Sequence, residues 1–208
     1  MNMACRSNIL LLLAICALPF AARAQGLPTI IEADLNRDGR AVRVTLDDKS
    51  DPALSISRGK KILWRGVHAR WQPWKLLLAD VDGDGRREIV VGVRKATRYF
   101  PKPHNCLFIY SWSGRRAFPK WLGSTLSKPF TDFAFSDLDK DGEDELIAIE
   151  TMRDGKLCVA IYSWNGFGFT LERQRGAWQA AKLLTNERGE IFVEADGARL
   201  ALASIKED

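Results

Sequence analysis

Asp80, Asp82, Asp84 and Glu88 occupy positions 1, 3, 5 and 9 of a nine-residue stretch, and Asp137, Asp139, Asp141 and Glu145 repeat that spacing 57 residues on. Carboxylates at alternate positions of a tight turn can all point inward, which suits a hard cation taking roughly six to eight oxygens at about 2.3–2.6 Å. Position 6 is Gly85 in one copy and Gly142 in the other, where a sharp bend would strain any residue with a Cβ. The backbone carbonyls of Arg86 and Glu143, at position 7, would add one ligand each. The chemistry expected is therefore structural calcium binding. A third copy carries Asp34, Asn36 and Asp38 but has Val42 at position 9, so a weaker site is expected there. The competing reading is an acidic turn held by Asp–backbone hydrogen bonds, which must then tolerate repulsion among four crowded carboxylates. An EF-hand is excluded. Its loop ends on an acid at position 12, where this chain has Val91 and Ala148, and it needs flanking helices.

Other reactive residue types are few. Only His68 and His104 could serve as imidazole bases, and neither "GVHARW" nor "PKPHNCLF" carries a nucleophile signature. Nucleophilic catalysis needs a base beside a Ser or Cys, and paired-carboxylate hydrolysis needs two acids across a cleft, whereas these acids are spaced to serve one metal each. Cys106 and Cys158 precede matching segments. Equivalent positions in neighbouring units generally lie beyond disulfide reach, so two buried free thiols are expected. The insertion "RKATRYFPKPHN" gathers Arg94, Arg98, Lys102 and His104 near two prolines. It is read either as a decorated loop or as a grip for an anionic glycan or carboxylate. The favoured function is non-catalytic binding of a protein or polysaccharide. The rival is a periplasmic hydrolase or lyase acting on an anionic glycan through residues 94–105.

The elements that must position the acids recur with them. "FIYSWSG" from Phe108 and "AIYSWNG" from Ala160 match at an offset of 52. Two landmarks recurring in the same order define a whole repeated unit. In the second unit "WKLLLAD" enters the loop, "EIVVGV" leaves it, Leu107 to Trp112 follows, and Ser113-Gly114 turns into "RRAFP". In the third, "FTDFAFSD", "ELIAIE", "LCVAIYSW" and "FGFTLE" follow the same plan, with Asn165-Gly166 as a tight hairpin. "IVVGV" and "LIAIE" are nearly unbroken apolar runs, as strands buried on both faces require. The first unit offers "TIIEAD", "AVRVTLDD", "ALSISRG" and "KKILWRG". The last has Asn186-Glu187-Arg188-Gly189 in place of an acid loop. The chain is thus expected to be all-β, a β-propeller-like repeat domain of about four short blades, closed or partial. The units fall roughly at 28–70, 71–128, 129–175 and 176–208. Trp112 and Trp164 hold matching positions and are expected in the core between units. Trp64, Trp71 and Trp74 are less regular and leave an aromatic groove open as an alternative.

Residues 1–24 resemble an export leader: Arg6 in a short head, an apolar run from Ile9 to Leu18, Pro19, and Ala22-Arg23-Ala24 as a small-x-small cleavage site. The run is too short for a membrane-spanning helix, so the mature chain, 25–208, is expected to have no integral span and to be periplasmic or extracellular. Leu13-Ala14-Ile15-Cys16 approaches a lipobox, but Ile15 is too large for the position before the Cys. The formal net charge is +5, and loss of Arg6 and Arg23 would leave +3, a mild excess that argues against a nucleic-acid partner.

The loops, their spacing and their flanking strands resemble those of FG-GAP/VCBS-type calcium-loop repeats, the repeats of integrin α-chain heads, over about Leu77 to Phe169. Phe167-Gly168 is present without a following Gly-Ala-Pro, which places the resemblance on the divergent, VCBS-like side. The resemblance implies a β-propeller fold, export, and calcium on Asp80, Asp82, Asp84, Glu88 and on Asp137, Asp139, Asp141, Glu145.

Overall fold

The computed structural model describes residues 28–186 and 189–202; the expected leader, and Glu187 and Arg188 of the fourth turn, lie outside them. Among the described residues fifteen strands form four antiparallel sheets, each a simple meander in which every strand pairs with its sequence neighbour. The first sheet holds β1 (Thr29–Ala33), β2 (Val42–Leu46), β3 (Leu54–Arg58) and β4 (Lys61–Gly66). The second holds β5 (Lys75–Ala79), β6 (Glu88–Lys95), β7 (His104–Trp112) and β8 (Ala117–Gly123). The third holds β9 (Phe130–Ser136), β10 (Glu145–Thr151), β11 (Leu157–Trp164) and β12 (Phe169–Trp178). The fourth has three strands, β13 (Ala181–Thr185), β14 (Ile191–Ala195) and β15 (Ala198–Ala201). This is a repeated four-stranded architecture of the propeller-like kind. No helix among the described residues is long and apolar enough to cross a membrane.

Side chains alternate faces along a strand, and the alternation sorts the core into three layers. Ile89, Val91 and Val93 of β6 pack with Val42, Val44, Leu54 and Ile56 between the first and second sheets. Val90 of β6 and Leu107 and Ile109 of β7 pack with Phe133, Leu146 and Ala148 between the second and third. Ile147, Ile149, Val159 and Ile161 pack with Val193 and Ala195 between the third and fourth. The two middle sheets therefore need apolar residues on both faces, which is why β6 and β10 are nearly unbroken apolar runs. The first sheet is buried on one face only. β2 alternates Val42, Val44 and Leu46 inward with Arg43 outward, where it pairs with Glu32 at 2.6 Å. Among the described residues no core layer joins the first sheet to the fourth.

The tryptophans lie at these layers rather than in an open groove. Trp64, Trp71 and Trp112 pack in the first layer; Trp74 and Trp164 pack against the second, with Trp74 edge-on to Phe133. Cys106 and Cys158 are buried free thiols.

Candidate metal centres

The three acid loops join the first two strands of the first, second and third sheets, and they fold alike. Position 4 has positive φ in each (Arg37, Gly83, Lys140), and so does position 6 (Gly39, Gly85, Gly142). The sequence marks the bend at position 6; the one at position 4 is hidden because Arg37 and Lys140 adopt a conformation that Gly adopts more readily. Position 2 is apolar in every copy, with Leu35 and Val81 fully buried as plugs. Position 9 opens the second strand and points inward, so Glu88 and Glu145 are buried as Val42 is. Each glutamate accepts the position 2 N–H: Val81 N to Glu88 Oε2 at 3.2 Å, and Leu138 N to Glu145 Oε2 at 2.7 Å.

Two groups of carboxylates result. Ligand oxygens of Asp80, Asp82 and Glu88 lie within 4.8 Å of one another, and so do those of Asp137, Asp139 and Glu145. Asp84 and Asp141 stand at the rims of the same two clefts, and each accepts the N–H of position 7, from Arg86 and Glu143, at 2.8 Å. In every loop the position 1 aspartate also accepts from its own backbone: Asp34 from Asn36, Asp38 and Gly39 N–H groups, Asp80 from Gly85, and Asp137 from Lys140 and Gly142. In the first loop Asp38 also accepts from Arg40. There the backbone bonds to Asp34 outweigh desolvation and hold its carboxyl below its ordinary value. With Val42 in the core, this loop assembles no trio of acids.

Elsewhere the electrostatics run the other way. Burial raises Asp80, and the nearby Asp84, Asp82 and Asp144 raise it further. Burial raises Glu145, with Asp139 and Asp141 adding to it. Glu143, expected to offer only its carbonyl, lays its side chain over Gly83 and between the two acid groups; burial and then Asp141, Asp82, Asp139 and Asp80 push it up. Asp80 Oδ1 and Asp82 Oδ1 are buried without a hydrogen-bond partner. Hard oxygens crowded together, with two of the Asp80 group left without a partner, fit the demands of a divalent cation: three side-chain donors per site, with backbone or water oxygens to complete the shell.

Adjacent loops are stitched together. Arg87 N donates to Leu35 O at 3.1 Å, and Asp144 N donates to Asp80 O at 2.8 Å. Asp144 returns a bond by accepting Asp80 N on its own Oδ2 at 2.8 Å. Arg37 lies over Gly85, where a Cβ would meet its Nη1 at 2.5 Å. The loops thus form a row along one edge of the stack. Asp144, at position 8, is a stitching residue that the ligand spacing does not reveal.

Sequence reasoning also missed Lys120. Its ammonium is 2.5 Å from Asp82 Oδ2 and 3.0 Å from Glu88 Oε1. Burial lowers Lys120, but its bonds to Asp82 and Glu88 outweigh that and leave it above the ordinary lysine value. Glu88 is raised by burial despite this partner.

The basic insertion does not converge. Arg94 ends up exposed on β6 and Arg98 is exposed in the following loop. Lys102 and His104 do line a common cleft of about 500 Å³ with Phe100, Pro101, Leu126 and Lys128. His104 is anchored there, Nδ1 at 2.9 Å from Lys102 O and Nε2 at 2.6 Å from Ser124 O. No family model, no curated protein and no solved structure matches the chain.

Proposed function

We propose that the chain is an exported, non-catalytic β-repeat protein of the FG-GAP/VCBS kind, held together by structural calcium and presenting its surface to a protein or polysaccharide. The observation that carries the metal reading is the pair of carboxylate trios on loops of the same backbone conformation, one of them with two buried oxygens that no protein donor satisfies. Asp137, Asp139 and Glu145 would hold one ion, and Asp80, Asp82 and Glu88 form the second group. A bound ion would neutralise the raised carboxylates and brace the row of loops. Ligand at about 100 times its Kd stabilises a fold by about 2.7 kcal/mol. That corresponds to roughly 5–10 °C in a domain of this size, at about 2–4 °C per kcal/mol.

The test is a calcium titration followed by thermal melting. The midpoint should rise with calcium and the rise should vanish in an Asp82→Ala/Asp139→Ala double variant. An unchanged midpoint in the unsubstituted protein sinks the metal reading.

The cleft beside His104 and Lys102 supports a second reading, binding or cleavage of an anionic glycan. Its apolar walls and its cations suit a ligand with both a hydrophobic face and a carboxylate. An Arg98→Ala/His104→Ala variant that retains acidic polysaccharide as well as the parent protein does would exclude this grip.

A further inference from the structure

The second and third sheets share one irregularity, and the residue it carries differs in charge. Between β7 and β8 the register shifts after Ile109, which pairs with Trp121 while Tyr110 pairs with Pro119; Lys120 is the extra residue. Between β11 and β12 the shift falls after Ile161, which pairs with Arg173 while Tyr162 pairs with Leu171; Glu172 is the extra residue. A bulge re-aims the side chain it carries. Lys120 and Glu172 are therefore the same position of two equivalent bulges, each beside its sheet's acid loop.

Their surroundings match. In the second sheet Ser111 donates to Glu88 at 3.3 Å, and Lys120 bridges Glu88 and Asp82. In the third, the equivalent Ser163 donates to Glu172 at 2.6 Å, and Glu172 lines one cleft with Asp139, Asp141 and Glu145. The first sheet supplies a further member of the series. The register between β3 and β4 shifts after Ile56, which leaves Leu63 as the extra residue. There position 9 is Val42, and both Val42 and Leu63 pack in the first core layer. The position 9 and bulge pairs thus run Val42 with Leu63, Glu88 with Lys120, and Glu145 with Glu172. Each pairing is of a different kind: apolar contact, an internal ion pair, and two acids lining a cleft whose one basic wall residue is Arg173.

We infer that the bulge residue decides which acid loop takes a metal ion. Lys120 is a built-in cation that occupies the Asp82–Glu88 position and excludes calcium from it at ordinary concentrations. Glu172 adds a carboxylate at the rim of the Asp137, Asp139 and Glu145 group and makes that the high-affinity site. This inference rests on the metal reading proposed above and sharpens it from two equivalent sites to one. Lys120 is a specificity-determining residue, acting by occupying the place of the ligand.

Isothermal titration with calcium chloride on the purified chain tests it. The unsubstituted protein should bind one ion per chain, and Glu145→Gln, but not Glu88→Gln, should abolish the binding. Lys120→Gln should add a second ion, raising the affinity of the Asp80, Asp82 and Glu88 site at least about ten-fold, and Glu88→Gln in that background should remove it. The reciprocal Glu172→Lys, at an exposed position, should weaken the first site at least about ten-fold. It carries the test if Lys120→Gln fails to fold by circular dichroism. Two equal sites in the unsubstituted protein, or unchanged affinity in Glu172→Lys, overturns the role of the bulge and leaves the metal reading standing. No calcium uptake by any variant overturns both.

Discussion

Truncating Glu150 should be among the most damaging single changes to this fold. Glu150 is fully buried near the end of β10, on the face turned toward the second sheet. Its Oε1 accepts from the Tyr162 hydroxyl and, at 3.3 Å, from Lys128 N; its Oε2 accepts from Ser127 Oγ at 3.0 Å. The Lys128 ammonium stands 3.6 Å away and is also held by Gln174. The carboxylate therefore pins the link between β8 and β9, residues 124–129, to the third sheet. Glu150→Ala takes this acceptor from two hydroxyls and an N–H, and the paired charge from an ammonium that keeps only neutral acceptors, Gln174 and Ser127. Removing one partner of a buried ion pair costs about 3–5 kcal/mol, and at about 2–4 °C per kcal/mol the melting temperature should fall by roughly 6–20 °C. Glu150→Gln keeps the shape and one acceptor oxygen and should cost about 1.5–3 kcal/mol, the worth of a hydrogen bond to a charged group. Urea unfolding of both variants, and of Tyr162→Phe with its double variant, measures the network directly. The coupling between positions 150 and 162 should fall in the range of about 0.5–3 kcal/mol typical of contacting residues. A cost under about 1 kcal/mol for Glu150→Ala, or additive effects in the cycle, would refute the claim that this acid anchors the link.

Gly92 lies in the layer between the second and third sheets, where a Cβ would stand 2.8 Å from both Phe133 Cε1 and Trp74 Cε2; Gly92→Ala should destabilise by about 1–3 kcal/mol through overpacking, and an unchanged calorimetric midpoint would show that this layer is looser than it looks. Burial pushes the Tyr110 hydroxyl from its usual value near 10 up to about 12. Its folded-state value is raised, so its contribution to stability is complete below pH 10 and is lost as pH rises toward 12. The loss is on the order of 3 kcal/mol from a shift of about two units. Following tyrosinate absorbance and circular dichroism together should show Tyr110 ionising only as the sheets unfold; an earlier, reversible ionisation with the sheets intact would contradict its burial.

Much of this fold is legible because its physics is local and repeated. The Asp-x-Asp-x-Asp-Gly spacing, the Asn-Gly hairpin and the period-two strands each leave a mark within a few residues. The unbroken "IVVGV" and "LIAIE" runs already say that the middle sheets are covered on both faces. What the sequence hides are relations between distant residues. Lys120 aligns with Glu172 at the same offset of 52 that matches "IYSW" to "IYSW", but a lysine aligned with a glutamate looks like surface drift until the bulge turns both toward an acid loop. Glu150 ends an apolar strand and looks like its exposed last residue, because the groups that neutralise it, Ser127, Lys128 and Tyr162, lie 12 to 23 residues away. The basic insertion misleads in the opposite direction: Arg94, Arg98, Lys102 and His104 are close in sequence, yet a strand end and a loop disperse the two arginines from the cleft the others line.

The series of bulges also shows how two acid loops of the same spacing can differ in what surrounds them. A loop's own residues fix its backbone and its first ligands, so the Asp80 and Asp137 loops are the same at that level. Whether the assembled charge needs an external ion is decided on the fourth strand of the same sheet, some 30 residues later. An acid set bonded to an internal ammonium already holds one cation, which an external ion would have to displace. The Asp137, Asp139 and Glu145 set faces Glu172 in the place where its neighbour faces a lysine. The stitch from Asp144 to Asp80 then joins the two kinds of loop. An ion bound at Asp137, Asp139 and Glu145 would brace the ion-paired loop next to it through the backbone, so a single metal site can stabilise two units of the row.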